Sequence, residues 1–441
     1  MNLACIGAGH VGLVTAACFA EMGNEVICVD VVEGKVEAPD KGRMPFYEPG
    51  LEDMVRRNCH DRRLFFSNNL AAAVENSLIC FITVDPPPQA DGAADLAAVW
   101  AVAREIGRHL NGYKIIVLKS TVPVGTAVKV REIIDAELQN RAGHFEFDVV
   151  VNPEFFKEGT AIDDFMKPDR IVIGCDNVKV AELMKELYAA FVRTHHPIVL
   201  MDAVSAELTK YAANAFLAAR ISFINEIAHI CARTGADIDL VRQGMGSDPR
   251  IGRLFLFPGL GYGGSGFPKD LRALINTAQS RGYTPRLLAA TEAINRDQVQ
   301  VFLDRIYRHF ENNLAGRLLA VWGLAFKPGT DDVRQAPALK IVAELIRQGA
   351  RVRAYDPQAV HAAQKALGEV AGLGFTGSGY DALEGAEALI ITTDWTIFRE
   401  PDFPRMQRLM QAPVIFDGRN LYHPAKMAKL GFQYFYVGQK G

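Results

Sequence analysis

The sequence predicts an α/β protein made of two doubly wound, parallel-sheet domains joined by a helical middle, and three observations predict it. Short apolar runs of strand length alternate with helical patterns through the first third of the chain. The same alternation resumes near residue 316 and continues towards the end. Between them, residues 202–234 contain neither Gly nor Pro and are rich in Ala, which reads as one uninterrupted helix.

Taken in order, Asn2–Ile6 is a strand that runs into Gly7-Ala8-Gly9-His10-Val11-Gly12, then a helix over 13–22, then the strand Glu25–Val29 ending at Asp30, which makes a βαβ unit. Further strands are expected over 77–84, 113–119, 147–151 and 170–174, and strands alternating with helices imply a parallel sheet covered on both faces. The long helix has Asp202 as its N-cap and Gly235 as its stop, and at 1.5 Å per residue it spans about 48 Å. Such a rod exceeds what one small domain needs. It is expected to bridge domains and to bury its spare face against a second copy of the chain in a homodimer. After helical sequence to about residue 313, strands are expected over 318–322, 351–355, 388–392 and 414–416, with a helix over 337–348. The second copy has Gly323-Leu324-Ala325-Phe326-Lys327-Pro328-Gly329 where the first has its G-x-G-x-x-G, so it is expected to hold a different ligand at the same topological position. Both outer domains are thus Rossmann-like.

Composition narrows the function. The 441 residues are 49% hydrophobic and 22% charged, which excludes a disordered chain, and the Gly and Pro fall in scattered turns rather than a collagen-like period. With 48 basic against 51 acidic side chains and no long Lys/Arg block, there is no footprint for a nucleic-acid backbone. No run approaches the roughly 18 uninterrupted apolar residues of a membrane span, and the first 20 residues lack a basic leader pattern, so a cytoplasmic protein is expected. The seven cysteines form no Cys-x-x-Cys pair and sit mostly in apolar runs, so they are expected to be buried, reduced thiols with no metal and no disulfide.

Three constellations carry chemistry. Gly7, Gly9 and Gly12, with Val11 in the first helical turn, let a helix N-terminus meet a pyrophosphate at close backbone approach. Asp30, 18 residues after Gly12, is placed to accept from a ribose 2'-hydroxyl and to repel a 2'-phosphate, so the expected cofactor is NAD rather than NADP. Lys210 and Asn214, four apart on the long helix, share a face, and Asn152-Pro153-Glu154-Phe155-Phe156-Lys157-Glu158-Gly159 follows a strand of the first domain, where such sheets hold ligands. Glu154 and Glu158 are candidate acid/base and cofactor-contacting groups. Finally, residues 259–270 place five glycines in eight residues before Phe267-Pro268-Lys269-Asp270, and the flanking Phe255, Phe257, Tyr262 and Phe267 favour a ligand cradle over a solvated linker.

These motifs, together with Tyr47-Glu48-Pro49-Gly50-Leu51, Lys119-Ser120-Thr121-Val122-Pro123-Val124-Gly125, Lys210-Tyr211-Ala212-Ala213-Asn214-Ala215, Phe326-Lys327-Pro328 and Phe416-Asp417-Gly418-Arg419-Asn420, run the length of the chain. In them the chain resembles the UDP-glucose 6-dehydrogenases, of the nucleotide-sugar 6-dehydrogenase family. The resemblance implies a four-electron oxidation of a sugar C6 alcohol to a carboxylate with two NAD, giving UDP-glucuronate for polysaccharide biosynthesis. It implies that Lys210, Asn214 and Asp270 position and deprotonate the alcohol and stabilise oxyanion charge, assisted by Thr121 and by Glu154, which activates water. Cofactor contacts are implied for Glu158, Lys269 and Arg334 and for Thr121, beside Asp30 and Lys35. The nucleotide sugar is implied to lie on Phe255, Leu256, Phe257, Pro258, Gly259, Gly263 and Lys327, with Phe155, Phe156 and Lys157 near the sugar and Arg250 or Arg419 meeting diphosphate or hydroxyls. The implied domains are residues 1–200 for NAD, 201–315 for dimerisation and 316–441 for the UDP-sugar.

The chain departs from the family pattern twice. Gly266 stands where the family has a cysteine whose thiolate captures the aldehyde intermediate, and Asp85-Pro86-Pro87-Pro88 stands where the family tends to have Gly-Thr-Pro. The first departure leaves three outcomes open: an enzyme impaired at position 266, a dehydrogenase that stops at the aldehyde, and a non-catalytic protein that binds both nucleotides. The sugar is also open, because relatives oxidise GDP-mannose or UDP-N-acetylmannosamine.

Overall fold

The computed structural model describes residues 1–32, 34, 44–141, 144–192 and 197–440. It forms two compact units, Met1–Ala213 with Arg272–Tyr283, and Asn214–Leu271 with Thr284–Gly441.

The first unit is built on an eight-stranded sheet: β1 (Asn2–Ile6), β2 (Glu25–Val29), β3 (Leu64–Ser67), β4 (Ile79–Ile82), β5 (Lys114–Leu118), β6 (Phe147–Val151), β7 (Ile171–Gly174) and β8 (Ile198–Met201), in the order β3-β2-β1-β4-β5-β6-β7-β8. Alternate residues of β1 enter opposite cores. Leu3 and Cys5 pack with Phe19 and Phe81, whereas Ala4 and Ile6 pack with Ile106 and Val130, so the sheet is covered on both faces. The expected parallel pairing fails at one place: β7 meets β6 antiparallel through Val151 and Gly174, and β8 then runs parallel to β7. The segment between β6 and β7 is occupied by a polar loop and one short helix, Ala161–Met166, rather than by the full crossover helix that a parallel return uses.

The second unit carries β9 (Leu318–Trp322), β10 (Arg351–Tyr355), β11 (Leu373–Phe375), β12 (Ala388–Ile391), β13 (Val414–Asp417) and β14 (Gln433–Tyr436), all parallel, in the order β11-β10-β9-β12-β13-β14. This is the permutation of the first six strands repeated, and the hydrogen bonds at the first turn repeat with it. Gly7 N–H donates to Val29 O at 2.7 Å, as Gly323 N–H does to Tyr355 O at 2.8 Å. Thr83 and Thr392, each just past the end of the fourth strand of its sheet, donate their hydroxyls to Gly7 O and Gly323 O. Either turn opens the crevice at the reversal of strand order, where such sheets take ligands.

The helix predicted over 202–234 runs Ala203–Thr234. Asp202 accepts from the Ser205 N–H at 2.8 Å, and Gly235 ends the helix with a φ of +81°. By its length and a mean hydropathy of 1.3 over its most apolar 18 residues it could pass for a membrane-crossing segment. However, one side packs into the protein through Ala206, Tyr211, Ala215, Ala218, Ile224 and Ala228, while Val204, Leu208, Phe216, Phe223 and Ile230 are exposed. Five of the seven cysteines are buried, and burial pushes Cys28 and Cys80 up to about 12.

Candidate functional site

In the first unit the glycine-rich turn follows from sterics. A Cβ on Gly12 would lie 1.8 Å from Gly7 O, and one on Gly7, which has a φ of +114°, would lie 2.8 Å from Val84 N. Only glycine lets the helix His10–Glu21 start this close to β1 and β4. A Cβ on Gly9 would meet nothing within 4 Å, so the open side of the loop lies at the N-terminus of that helix, and no side chain caps it. Val11 sits in its first turn. Asp30 is 8% exposed; it accepts from Ala8 N–H and Val32 N–H, both at 2.9 Å, which fixes its carboxylate at the rim of the loop. Anion-receptive peptide groups, an open cradle and a carboxylate at the end of β2 fit a dinucleotide with an unphosphorylated ribose. Asp85 is exposed just beyond Val84, at the mouth of the same loop. Lys35 lies outside the described residues.

At the carboxyl ends of β5 and β6, Lys210 donates to Glu154 Oε1 at 2.9 Å, with both side chains almost fully buried. Glu154 Oε2 is buried with no hydrogen-bond partner among the described residues, the state expected of a carboxylate kept for chemistry. Phe155 lies under the Arg170 guanidinium at 3.7 Å and within 5.4 Å of the Lys210 ammonium. Phe156 packs against His10 and Phe165, Glu158 is half-buried, and the exposed Lys157 is held by Asp164 at 2.7 Å. Thr121 is half-buried at the end of β5. Its loop is fixed by Glu207, a buried carboxylate on the long helix that accepts from Gly125 N–H and Ala127 N–H at 2.7 Å each. Lys119 is a further buried cation that sequence spacing alone does not mark. It is fully enclosed, donates to Asn152 Oδ1 at 3.1 Å and to the Tyr188 hydroxyl at 3.3 Å, and lines a cavity of about 50 Å³ with Glu154 and Arg170. Burial pulls its ammonium down to about 8, with the Glu154 carboxylate acting against that shift.

In the second unit Asn214, one helical turn beyond Lys210 on the long helix, donates to Asp270 Oδ2 at 2.6 Å in a buried pair. The cradle is pinned by three side-chain amides: Gly259 N–H donates to Asn225 Oδ1 at 2.8 Å, Gln298 donates to Gly259 O at 2.6 Å, and Asn295 both accepts from and donates to the Tyr262 backbone. The spacing of the glycines has the same cause. A Cβ on Gly261 would sit 2.4 Å from Asn295 Oδ1, one on Gly263 2.5 Å from Gln335 O, and one on Gly264 2.8 Å from the Phe326 ring. Gly266 differs, because a Cβ there would meet nothing within 4 Å. Its carbonyl accepts from the Asp270 N–H at 2.9 Å, so position 266 is the N-terminal boundary of the helix Phe267–Ser280, on which Lys269 is half-buried.

Phe255 has a φ of +59° and packs on Phe267, Leu256, Pro258 and Gly259 are buried, and the exposed Phe257 lies under Arg242 at 4.7 Å. Arg419 is half-buried beside Gly259, donating to Thr392 O at 2.8 Å and Phe326 O at 3.2 Å, and Lys327 lies half-buried over the Phe326 ring. By contrast, Arg250 and Arg334 are exposed, with their guanidinium groups on Asp248 and Asp332. Asp356, the counterpart of Asp30, accepts from four backbone N–H groups and the Trp395 indole N–H. That enclosure uses the carboxylate that a ribose would need, so the second turn does not repeat the dinucleotide mode of the first.

One doubly wound sheet with a dinucleotide cradle and another whose first turn is built differently define a two-nucleotide dehydrogenase architecture. The chain belongs to the UDP-glucose/GDP-mannose dehydrogenase family: the family's NAD binding domain matches residues 1–192, its central domain 204–297 and its UDP binding domain 320–424. It is 50% identical to the UDP-glucose 6-dehydrogenase of Pseudomonas aeruginosa, over 100% of this chain and 98% of that protein. Identity to the UDP-glucose 6-dehydrogenase TuaD of Bacillus subtilis is 46%, over 99% of this chain and 93% of that one. The solved UDP-glucose dehydrogenase of Pyrobaculum islandicum superposes with a TM-score of 0.89 at 36% identity, covering 100% of this chain and 96% of its own.

Proposed function

We propose that the chain is built as a UDP-glucose 6-dehydrogenase that, with Gly266 in place of a nucleophile, does not complete its four-electron oxidation at a useful rate. What supports this is a buried couple in each unit, Lys210 with Glu154 in the first and Asn214 with Asp270 in the second. Each couple sets a cation or amide donor beside a carboxylate, which is what deprotonating an alcohol and holding the resulting oxyanion requires. Gly7–Gly12 would hold NAD with Asp30 at its ribose, and the cofactor so held would supply the hydride acceptor. Asp270, held by Asn214, takes the C6 hydroxyl proton directly or through a water, and Lys210 with Asn214 stabilises the alkoxide. Glu154, with one oxygen buried and unpartnered among the described residues, activates the water that ends as the carboxylate oxygen, and Thr121 orients the reacting group. Glu158, Lys269 and Arg334 contact the cofactor. Phe255–Gly259, Gly263 and Lys327 hold the nucleotide sugar, Arg419 or Arg250 meets its diphosphate, and Phe155, Phe156 and Lys157 flank the sugar.

The functional division is residues 1–200, 201–315 and 316–441, and the chain is a homodimer. Support for the dimer comes from the exposed Phe216, Phe223 and Ile230, which recur every seven residues along one stripe of the long helix. Sedimentation at micromolar concentration is expected to give a dimer, and a monomer would refute that assignment.

The function is tested by incubating the protein with UDP-glucose and NAD and counting NADH per sugar. Two at an ordinary rate would show that no nucleophile is missing, one would mark arrest at the aldehyde, and binding without NADH is expected if the block is early. Parallel titrations with UDP-glucose, GDP-mannose and UDP-N-acetylmannosamine are expected to rank UDP-glucose first.

A further inference from the structure

The motif Tyr47-Glu48-Pro49-Gly50-Leu51 has no part in the chemistry above, yet its glutamate is where two ligand loops of the first unit converge. The Glu48 side chain is wholly buried. Its Oε2 accepts from His10 Nε2 at 2.8 Å and from Gly159 N–H at 2.7 Å, and its Oε1 accepts from Ala161 N–H at 2.8 Å. His10 opens the helix that starts on the glycine-rich turn, directly after Gly9. Gly159 closes the loop that begins at Asn152 and carries Glu154 and Glu158, and Ala161 begins the short helix that follows. A second contact joins the same loops, since the His10 ring lies 4.9 Å from Phe46, near Glu48, and 6.0 Å from Phe156, inside the second loop.

A carboxylate enclosed by three donors from two distant chain segments behaves as a rigid junction. If Glu48 followed a displaced His10, it would leave the buried Ala161 N–H and the half-buried Gly159 N–H without an acceptor, and leaving such donors unpaired is costly. The lower-energy response is for the loop to move with the imidazole. Gly50, with a φ of +79°, turns the chain directly into the helix Leu51–His60, so Glu48 is anchored close to a regular element.

We propose that Glu48 is a positioning residue that couples occupation of the glycine-rich turn to the placement of the loop carrying Glu154: a dinucleotide at the helix N-terminus fixes His10, His10 fixes Glu48, and Glu48 fixes the peptide groups of Gly159 and Ala161. This rests on NAD binding at Gly7–Gly12. The test is amide hydrogen exchange of the full chain with and without NAD, read in peptides covering residues 7–14 and 157–165. In the unaltered protein NAD slows exchange in both. In His10→Ala, NAD still slows 7–14 but no longer slows 157–165, and NAD affinity falls about fivefold or more, the lower range of couplings between sites. His10→Gln, which keeps an N–H donor for Glu48, restores the NAD-dependent protection of 157–165, a rescue that a merely structural histidine would not require. Equal protection of 157–165 in His10→Ala and the unaltered chain would overturn the proposal, as would a 157–165 peptide that never responds while 7–14 does. Absence of protection at 7–14 in the unaltered chain would instead overturn the placement of the cofactor.

Discussion

Gly266→Cys is the perturbation that bears most directly on activity. The new Cβ meets nothing within 4 Å, so the side chain enters without displacing a neighbour, unlike a substitution at Gly261, Gly263 or Gly264. The position is also free of the left-handed φ that penalises side chains at Gly261 and Gly264, so the stability change should stay within about 1 kcal/mol. Chemistry should change far more. Position 266 precedes the helix Phe267–Ser280, and a thiol at a helix N-terminus is shifted below its free value of about 8.5, towards the roughly 3.5–7.5 range of activated cysteines. A thiolate there can attack the aldehyde carbon, so that the second hydride leaves from a tetrahedral adduct and water then releases the carboxylate. Supplying the missing member of a catalytic unit is worth on the order of 10^4 to 10^6 in rate, or about 5 to 8 kcal/mol of barrier. The assay is NADH absorbance per UDP-glucose consumed, with product identified by mass and folding followed by thermal melting. Two NADH per sugar and UDP-glucuronate are expected for the variant. The reasoning is refuted if the unaltered protein already turns over at roughly 1 to 10 per second. It is equally refuted if the variant folds and binds both ligands but gains no rate.

Asp30→Ala should narrow the preference for NAD over NADP, because it removes the negative charge that would face a 2'-phosphate; equal affinities in the unaltered protein, measured by fluorescence titration, would show that Asp30 does not reach the ribose. Gly261→Ala should lower the melting temperature, by several degrees for about 2 kcal/mol, since the methyl would lie 2.4 Å from Asn295 Oδ1 at a φ of +91°; an unchanged melt would refute the steric account of the cradle. Lys119 is held at about 8 in the folded state, below the unfolded lysine value of about 10.4, so the unfolded chain binds more protons in that interval and this group's contribution becomes more favourable as pH rises from about 8 to 10.4. Lys119→Met should therefore flatten the rise of urea midpoints over that window relative to the unaltered protein, and parallel profiles would refute the assignment.

The long helix, the two Rossmann-like halves and the glycine turn were legible in the sequence because each is written in local spacing: periodicity, a cap, a glycine at a fixed offset. The strands that the pattern missed, β3, β8, β11 and β14, are the four edge strands of the two sheets. β3, β11 and β14 include a Ser, a Gly or a Gln in a run of only three or four residues, and β8 is apolar but just four residues long with Val199 and Leu200 exposed, whereas central strands such as β4 and β12 are buried throughout. Spacing also put Lys210 and Asn214 on one helix face, but their carboxylate partners Glu154 and Asp270 each lie 56 positions away, upstream for one and downstream for the other, and only the folded chain selects them. The same holds for the amides pinning the cradle, for Glu48 between two loops, for the reversal of β7, and for the open space at Gly266. Local order follows from what a residue's near neighbours permit. Which buried donor meets which acceptor is decided where distant segments return to one place, because there every enclosed polar group must find a partner among whatever the fold has brought within about 3 Å.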